Sequence, residues 1–187
     1  MIILKWLASA ALHIALLPTV AVAAPIISLF TRPMPHKLPG GYSWGWIWGT
    51  YDNPPQGDEG YVAKRAPFPG ITTGIKGYMN RVMWMVRNPL YGLNRKTGVW
   101  HGYNTIVVMR GNPLISDKYR VPGWLLATAH NGRQLIAFEL YVIAPWSRRR
   151  CLRLRLGWKI KGRKFTQKGD LAPLVTACNP LDGYGND

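Results

Sequence analysis

The chain has 187 residues, of which 24 are lysine or arginine and 8 are aspartate or glutamate, giving a formal net charge of +16. This imbalance favours anionic partners such as phosphate backbones or acidic lipid surfaces, although a basic surface can also be merely solvated. With only 2 cysteines, the chain falls outside the classes held together by a disulfide framework or by a cysteine-based zinc site.

The N-terminal segment is the longest apolar run of the chain. From Trp6 to Phe30 it contains no Asp, Glu, Lys or Arg. As a helix rising ~1.5 Å per residue, it is long enough to cross a hydrocarbon core of roughly 30 Å. We therefore predict a transmembrane anchor over residues 1–31. The alternatives are a cleaved secretory signal, with Ala21-Val22-Ala23 as its cleavage site, and a buried core helix.

The residues that flank this run indicate its orientation in a membrane. Lys5 is the only charged side chain before the run, whereas Arg32 and Lys37 follow it, and this bias favours a C-terminal domain in the cytoplasm. Tryptophan is enriched where a helix leaves the membrane. Three tryptophans after the run are predicted to lie at the membrane interface: Trp44, Trp46 and Trp48.

Residues 32–75 are rich in proline and glycine and are predicted to form a linker. An amphipathic helix follows over residues 75–88, and Asn88-Pro89 ends it because the residue before proline avoids the α region. Such a stripe usually packs in a core, and the alternative is a membrane surface. The stripe consists of Met79, Val82, Met83 and Val86.

The C-terminal half of the chain has the pattern of antiparallel strands. Asn131-Gly132 between two apolar runs is a strong hairpin signal. From residue 152 to residue 161, apolar side chains alternate with Arg153, Arg155, Lys159 and Lys161, which predicts one buried face and one solvated, basic face. Residues 76–187 are therefore predicted to form a single domain. The predicted fold class is α+β, with an N-terminal transmembrane helix and one short helix packed on a small antiparallel β-meander.

Glu139 occupies a notable position in this predicted sheet. If Ile136, Phe138, Leu140 and Val142 face the core, the register places Glu139 on the basic face, near Arg153 or Arg155. A cross-strand ion pair is the simpler interpretation, and a catalytic carboxylate working with His130 or His101 is the alternative.

No established catalytic or cofactor motif accompanies Glu139. The sequence has no Walker loop, dinucleotide fingerprint, zinc-ligand spacing or nucleophile elbow. We therefore predict no catalytic residue, metal, cofactor or small-molecule substrate.

The densest basic segment runs from Arg148 to Lys168 and contains no acid. Trp146, Trp158 and Phe165 lie among its basic residues, a combination that suits single-stranded nucleic acid or an anionic membrane surface. The residues predicted to bind such a partner are Arg148, Arg149, Arg150, Arg153, Arg155, Lys159 and Lys161.

Several short motifs carry a family resemblance. They are Asp52-Asn53-Pro54 with Gly57-Asp58, Asn80-Arg81-x-x-Trp84-x-x-Arg87-Asn88-Pro89-x-Tyr91-Gly92, Phe138-Glu139 and Gly157-Trp158-Lys159. Over most of residues 50–160 the chain resembles a family of functionally uncharacterised small membrane-associated proteins of tailed bacteriophages and prophages. The resemblance implies a phage setting but no activity, and it implies that Arg87-Asn88-Pro89 and Gly157-Trp158-Lys159 belong to a common structural frame.

Together these features predict a phage-encoded, non-catalytic binding protein anchored by a single pass in the host inner membrane. Its expected partner is an anionic lipid surface or nucleic acid, and a phage or host membrane protein is a further candidate. The first alternative is a virion structural component contacting DNA or another virion protein. The second is an enzyme with a Glu139/His130 site. In the virion or the periplasm, Cys151 and Cys178 could form a bridge, whereas in the cytoplasm they would be free thiols.

Overall fold

The computed structural model describes residues 1–30, 47–48, 57–102, 104–161 and 170–185, apart from the side chains of residues 101 and 170. Two of the predicted interface residues, Trp44 and Trp46, lie outside these ranges. The chain divides into two compact units, one formed by Met1–Ala10 with Thr97–Asp187 and the other by Ala11–Lys96. This division differs from the predicted boundaries after residues 31 and 75.

The first element is helix α1, Ile2–Phe30, which contributes residues to both units. Its alanine and leucine content favours a helix, and two internal prolines, Pro18 and Pro25, are accommodated within it. In the described part of the chain, α1 is the one helix long and apolar enough to cross a membrane.

Among its described residues, the unit formed by Ala11–Lys96 has three short helical segments besides α1. They are a π-helical turn at Tyr61–Arg65, helix α2 at Gly74–Arg87 and helix α3 at Tyr91–Lys96. The helix predicted over residues 75–88 is therefore confirmed. It ends at Asn88, whose backbone N–H donates to Trp84 O at 3.0 Å.

The predicted core packing of the α2 stripe was wrong for three of its four residues, whereas Val82 is half-buried and packs against the core that includes Val20 and Ile27. Met79, Met83 and Val86 are each 44% exposed, whereas Asn80 and Arg81 are buried. The polar side chains take the packed side because they find backbone acceptors there. Asn80 Nδ2 donates to the carbonyl oxygens of residues 68 and 71 at 2.7 Å each, and Arg81 Nε donates to the carbonyl oxygen of residue 28 at 3.3 Å.

The other unit is built on antiparallel strands, which confirms the α+β class. In the described residues the strands are β1 Val99–His101, β2 Thr105–Gly111, β3 Gly123–Asn131, β4 Gln134–Pro145, β5 Arg150–Trp158, β6 Asp170–Ala172 and β7 Leu174–Gly183. One sheet has the order β2-β3-β4-β5-β7, and β1 pairs with β6. The predicted hairpin joins β3 to β4, with Gly132 at φ 57°.

The register places Glu139 on the same face as Arg153 and Arg155, as predicted, because Tyr141 pairs with Arg155 and Ile143 with Arg153. The choice of the buried face was wrong, however. Ala137, Glu139, Tyr141 and Ile143 are buried, whereas Phe138, Leu140 and Val142 are half-buried. The arginine-bearing face is covered because Ile115 packs there against Tyr141 and Ile143.

The end of β5 depends on a glycine. Gly157 has φ +105°, and a Cβ there would lie 2.0 Å from Phe138 O on the adjacent strand. The next residue, Trp158, is fully buried, and its Nε1 donates to Thr97 O at 3.0 Å. Cys151, at the start of β5, is buried and Cys178 in β7 is exposed, and both are free thiols.

Candidate anionic-partner surface

The predicted basic residues fall into two groups with different surroundings. Arg148, Arg149 and Arg150 are exposed at the turn between β4 and β5. Ser147 shapes this turn, since its Oγ accepts hydrogen bonds from the backbone N–H groups of Arg149 and Arg150 at 3.2 and 2.9 Å. The three guanidinium groups are therefore presented outward, and only that of Arg150 has a protein hydrogen bond in the described residues, to Leu181 O at 2.9 Å.

Tyr184 joins a second basic segment to this turn. Its backbone N–H donates to Arg149 O at 2.9 Å, and its hydroxyl donates to Arg120 O at 2.9 Å. Lys118 and Arg120 are exposed and were not predicted, because they lie outside the dense basic segment of the sequence. We call the resulting surface the basic patch, formed by Lys118, Arg120, Arg148, Arg149 and Arg150.

The other residues predicted to bind an anionic partner include Arg153 and Arg155, which lie in a network of ion pairs on the face of the sheet that Ile115 covers. Arg153 sits between two carboxylates, with Nη1 3.3 Å from Asp117 Oδ2 and Nε 3.0 Å from Asp182 Oδ2. Burial acts to raise the pKa of Asp117, but the hydrogen bond from Tyr141, the charge of Arg153 and backbone N–H groups outweigh it and lower that pKa. Burial raises the pKa of Asp182 despite the opposing charge of Arg153.

Glu139 is the fully buried member of this network. Its Oε1 accepts a hydrogen bond from Arg155 Nε at 2.5 Å, and its Oε2 accepts from the backbone N–H groups of Ile160 and Lys161 at 2.6 Å each. The predicted ion pair is present, but the predicted solvated setting is wrong, because residues 160 and 161 cover the carboxylate.

Tyr141 connects the Arg153–Asp117 pair with the Arg155–Glu139 pair. Its hydroxyl donates to Asp117 Oδ1 at 3.0 Å, and the Arg155 guanidinium lies 4.9 Å from the centre of its ring. Burial, followed by the charge and hydrogen bond of Asp117, raises the pKa of Tyr141 to about 12. The Lys161 ammonium donates to Ile115 O, and burial lowers its pKa.

This arrangement leaves little free charge on the covered face. We call it the ion-pair network, and its members are Asp117, Glu139, Asp182, Arg153, Arg155, Lys161 and Tyr141. Three acids face three bases, so the network is close to neutral and offers little net charge to an external anion. Lys159, the remaining predicted residue, is half-buried, and its N–H donates to Pro173 O at 2.9 Å.

The structure does not bring Glu139 and His130 together. His130 Nε2 lies 3.0 Å from Thr128 Oγ1, whereas Glu139 pairs with Ala127, the neighbour of Thr128 in β3. Successive residues of a strand point to opposite faces, so the two side chains lie on opposite sides of the sheet. The side chain of the other candidate, His101, lies outside the described part.

Trp48, the predicted interface residue that the structure describes, contacts α1. Its Nε1 donates to Thr19 Oγ1 at 3.1 Å. It also lines an open apolar groove of about 540 Å³ together with Val22, Ala23 and Ile26. The hydrogen bond to Thr19 and the groove both lie within the unit formed by Ala11–Lys96.

Among the described residues, no three His, Cys, Asp or Glu side chains are grouped in a way that could hold a metal ion. No curated protein and no solved structure matches the chain. One family model does match, over residues 1–186, and it describes a family of unknown function. Since the match covers nearly the whole sequence, the chain belongs to this family of unknown function, DUF7338.

Proposed function

We propose that the protein is a phage-encoded, non-catalytic binding protein, attached to the host inner membrane by α1 and recruiting an anionic partner to the basic patch. The phage setting comes from the sequence resemblance described above. Single-pass insertion with the domain in the cytoplasm is the arrangement predicted from the flanking charges. The proposed function itself requires only that α1 attaches the chain to the membrane.

The basic patch is the observation that carries the proposal. Arg148, Arg149 and Arg150 are exposed, and Tyr184 links their turn to the Arg120 segment through hydrogen bonds to Arg149 O and Arg120 O. Clustered guanidinium and ammonium groups attract phosphate groups, and near an anionic membrane each contributes about 1 kcal/mol of binding free energy. An anionic lipid surface is the favoured partner, because a chain already attached to the membrane is held close to it.

Vesicle binding by the full-length protein tests this proposal. We expect stronger binding to vesicles containing phosphatidylglycerol than to purely zwitterionic vesicles, and weaker binding as salt is raised. The triple substitution Arg148→Gln, Arg149→Gln and Arg150→Gln should remove most of this preference. The matched control removes the same charge from exposed positions outside the patch, by Lys64→Gln, Arg65→Gln and Arg133→Gln. Equal effects of the two triple variants would show that only net charge matters.

Nucleic acid is the alternative partner, and it would fit a virion component in contact with DNA. Binding of single-stranded DNA in preference to anionic vesicles would favour that alternative. So would recovery of the full-length chain in purified virions and its absence from washed host membranes. Recovery in the periplasmic fraction would place the protein outside the cytoplasm and would argue against the proposed location.

A further inference from the structure

Within the unit formed by Ala11–Lys96, α1 has two different sides. One side is packed, and its buried residues include His13, Val20, Ala24, Ile27 and Ser28. The remaining surface of this part of α1 is apolar and exposed. Its large side chains are Leu12, Ile14, Leu17, Val22, Ile26, Leu29 and Phe30, and the exposed fraction reaches 71% at Phe30.

The packed side of α1 has polar partners along much of its length. His13 Nδ1 lies 2.6 Å from Asn94 Oδ1, and Ser28 O accepts a hydrogen bond from Arg81 Nε at 3.3 Å. Between them, Thr19 Oγ1 accepts a hydrogen bond from Trp48 Nε1. From residue 13 to residue 28 an α-helix rises about 22 Å, most of the roughly 30 Å of a hydrocarbon core.

These contacts bear on whether α1 crosses the membrane. If it did, α2 and α3 would have to enter the hydrocarbon with it, because they contact α1 over that length. They would carry with them Lys76 and Arg87, which are exposed. Charged groups are strongly disfavoured in hydrocarbon unless they are paired or line a water-filled cavity. The structure therefore favours an arrangement in which α1 meets lipid with its exposed side and keeps its packed side against the protein.

We infer that α1 lies along the surface of an anionic membrane, with its exposed side in the boundary between headgroups and acyl chains, instead of crossing the bilayer. This inference rests on the membrane attachment proposed above and specifies its geometry. An interfacial helix buries one apolar side in the headgroup boundary. In α1 the side opposite the lipid is packed against the protein. A chain of formal charge +16 suits an anionic surface.

Helix α2 carries a second exposed apolar stripe in the same unit. Its exposed stripe continues from Met79, Met83 and Val86 to Ile75, which is 80% exposed. Lys76 and Arg87 are exposed on the same helix. Apolar side chains beside long basic side chains are typical of helices that lie in a membrane interface, since the charged groups can reach the headgroups.

The position of the N-terminal end of α1 separates the two arrangements. The test uses a membrane-impermeant maleimide on spheroplasts, which expose the periplasmic face, and on inverted membrane vesicles, which expose the cytoplasmic face. Exposed native Cys178 reports the side of the C-terminal domain, while buried Cys151 is shielded. Lys5→Cys in a Cys178→Ser background reports the side of the N-terminal end.

We expect Lys5→Cys and Cys178 to react in the same preparation, because a helix lying on the surface keeps both on one side. Reaction of Lys5→Cys only in the preparation where Cys178 is silent would show that α1 crosses, and would overturn the inference while leaving the proposed function intact. A soluble assembly in which a second copy covers α1, with no protein in the membrane fraction, would overturn both.

Discussion

Glu139 and Arg155 lie on adjacent strands with Oε1 and Nε 2.5 Å apart, and the carboxylate is fully buried. The remaining oxygen of Glu139 is held by two backbone N–H groups of the segment that follows β5. This one side chain therefore ties strand β5 and the segment after it to the centre of the sheet.

Glu139→Gln should destabilise the protein by about 3 kcal/mol, because it leaves Arg155 without its charge partner in a mostly buried site. Thermal unfolding in mild detergent measures the effect. Arg133→Gln, at the exposed hairpin turn, is the control and should change little. A variant that melts with the parent would indicate a solvated pair. The double variant Glu139→Gln with Arg155→Met should recover part of the loss, since it removes the unpaired charge.

The raised pKa of Tyr141 predicts that the free energy of unfolding falls at high pH. Its pKa is raised to about 12 in the folded protein, above the ordinary value of 10.0. The folded state therefore keeps a proton that the unfolded state releases, so the stabilisation is complete below pH 10 and is lost as pH rises from 10 to about 12. The loss should be about 2 to 3 kcal/mol and should be absent from Tyr141→Phe. Unfolding curves across this range measure it, and exposed Tyr119→Phe should behave as the parent does.

Lys118 and Arg120 should contribute to anionic binding although they are distant in sequence from the basic turn. Replacing both by Gln should weaken binding to phosphatidylglycerol vesicles by roughly 2 kcal/mol, at about 1 kcal/mol per charge. The salt dependence of binding should also become shallower. The control, Lys64→Gln with Arg65→Gln, removes the same charge elsewhere. If the control pair costs as much, Lys118 and Arg120 are not part of a localised binding surface.

The exposed stripe of α2 should contribute to lipid binding without contributing to folding. Met79→Gln with Met83→Gln should weaken vesicle binding by roughly 1 kcal/mol per residue, because each removes apolar surface from the lipid contact. Ile106→Gln with Val108→Gln is the control, since both side chains are exposed in β2, outside α2 and the basic patch. Vesicle cosedimentation gives the affinity, and circular dichroism checks the helix. Unchanged binding of the methionine variant would exclude this stripe from the lipid contact.

Gly157→Ala should destabilise the sheet by about 2 kcal/mol or more, since it adds a contact with Phe138 O to the strain of a positive φ. Gly132→Ala separates the two effects, because Gly132 also has a positive φ but no atom lies within 4 Å of its added Cβ. Gly132→Ala should therefore cost less. Equal melting temperatures for the two variants would show that backbone strain alone decides the result.

Part of the sheet's arrangement follows from local sequence alone. The alternation of side chains placed Glu139 on the face of Arg153 and Arg155, because a strand has a fixed period of two. It could not identify the covered face, since the cover comes from Ile115, which lies far from the alternating segment in sequence, and from residues 160 and 161, which lie beyond the end of β5. In the same way, Asp117 and Asp182 join the network from distant loops and strand ends, where no local pattern marks them.

Helix α2 shows the same limit for a different reason. Its ends followed from local rules, such as the Asn88-Pro89 step. Its packed side did not, because Asn80 and Arg81 are buried against carbonyl oxygens supplied by segments 9 to 53 residues away in sequence. The spacing of apolar residues along a helix carries no information about carbonyl acceptors from distant segments. It therefore predicted that Met79 and Met83 would be buried, whereas they are exposed.

The residues after β7 join the two segments of the basic patch. Tyr184 makes two hydrogen bonds, to Arg149 O and Arg120 O, and the N–H of Gly185 donates to Asp117 O at 2.9 Å. Tyr184 and Gly185 therefore link the loop that contains Asp117 and Arg120 to the turn that contains Arg149. Cutting the chain after Gly183 would spare every described strand but remove these hydrogen bonds, so that the two segments of the basic patch would be joined only through the sheet, by the contacts of Asp117 with Tyr141 and Arg153.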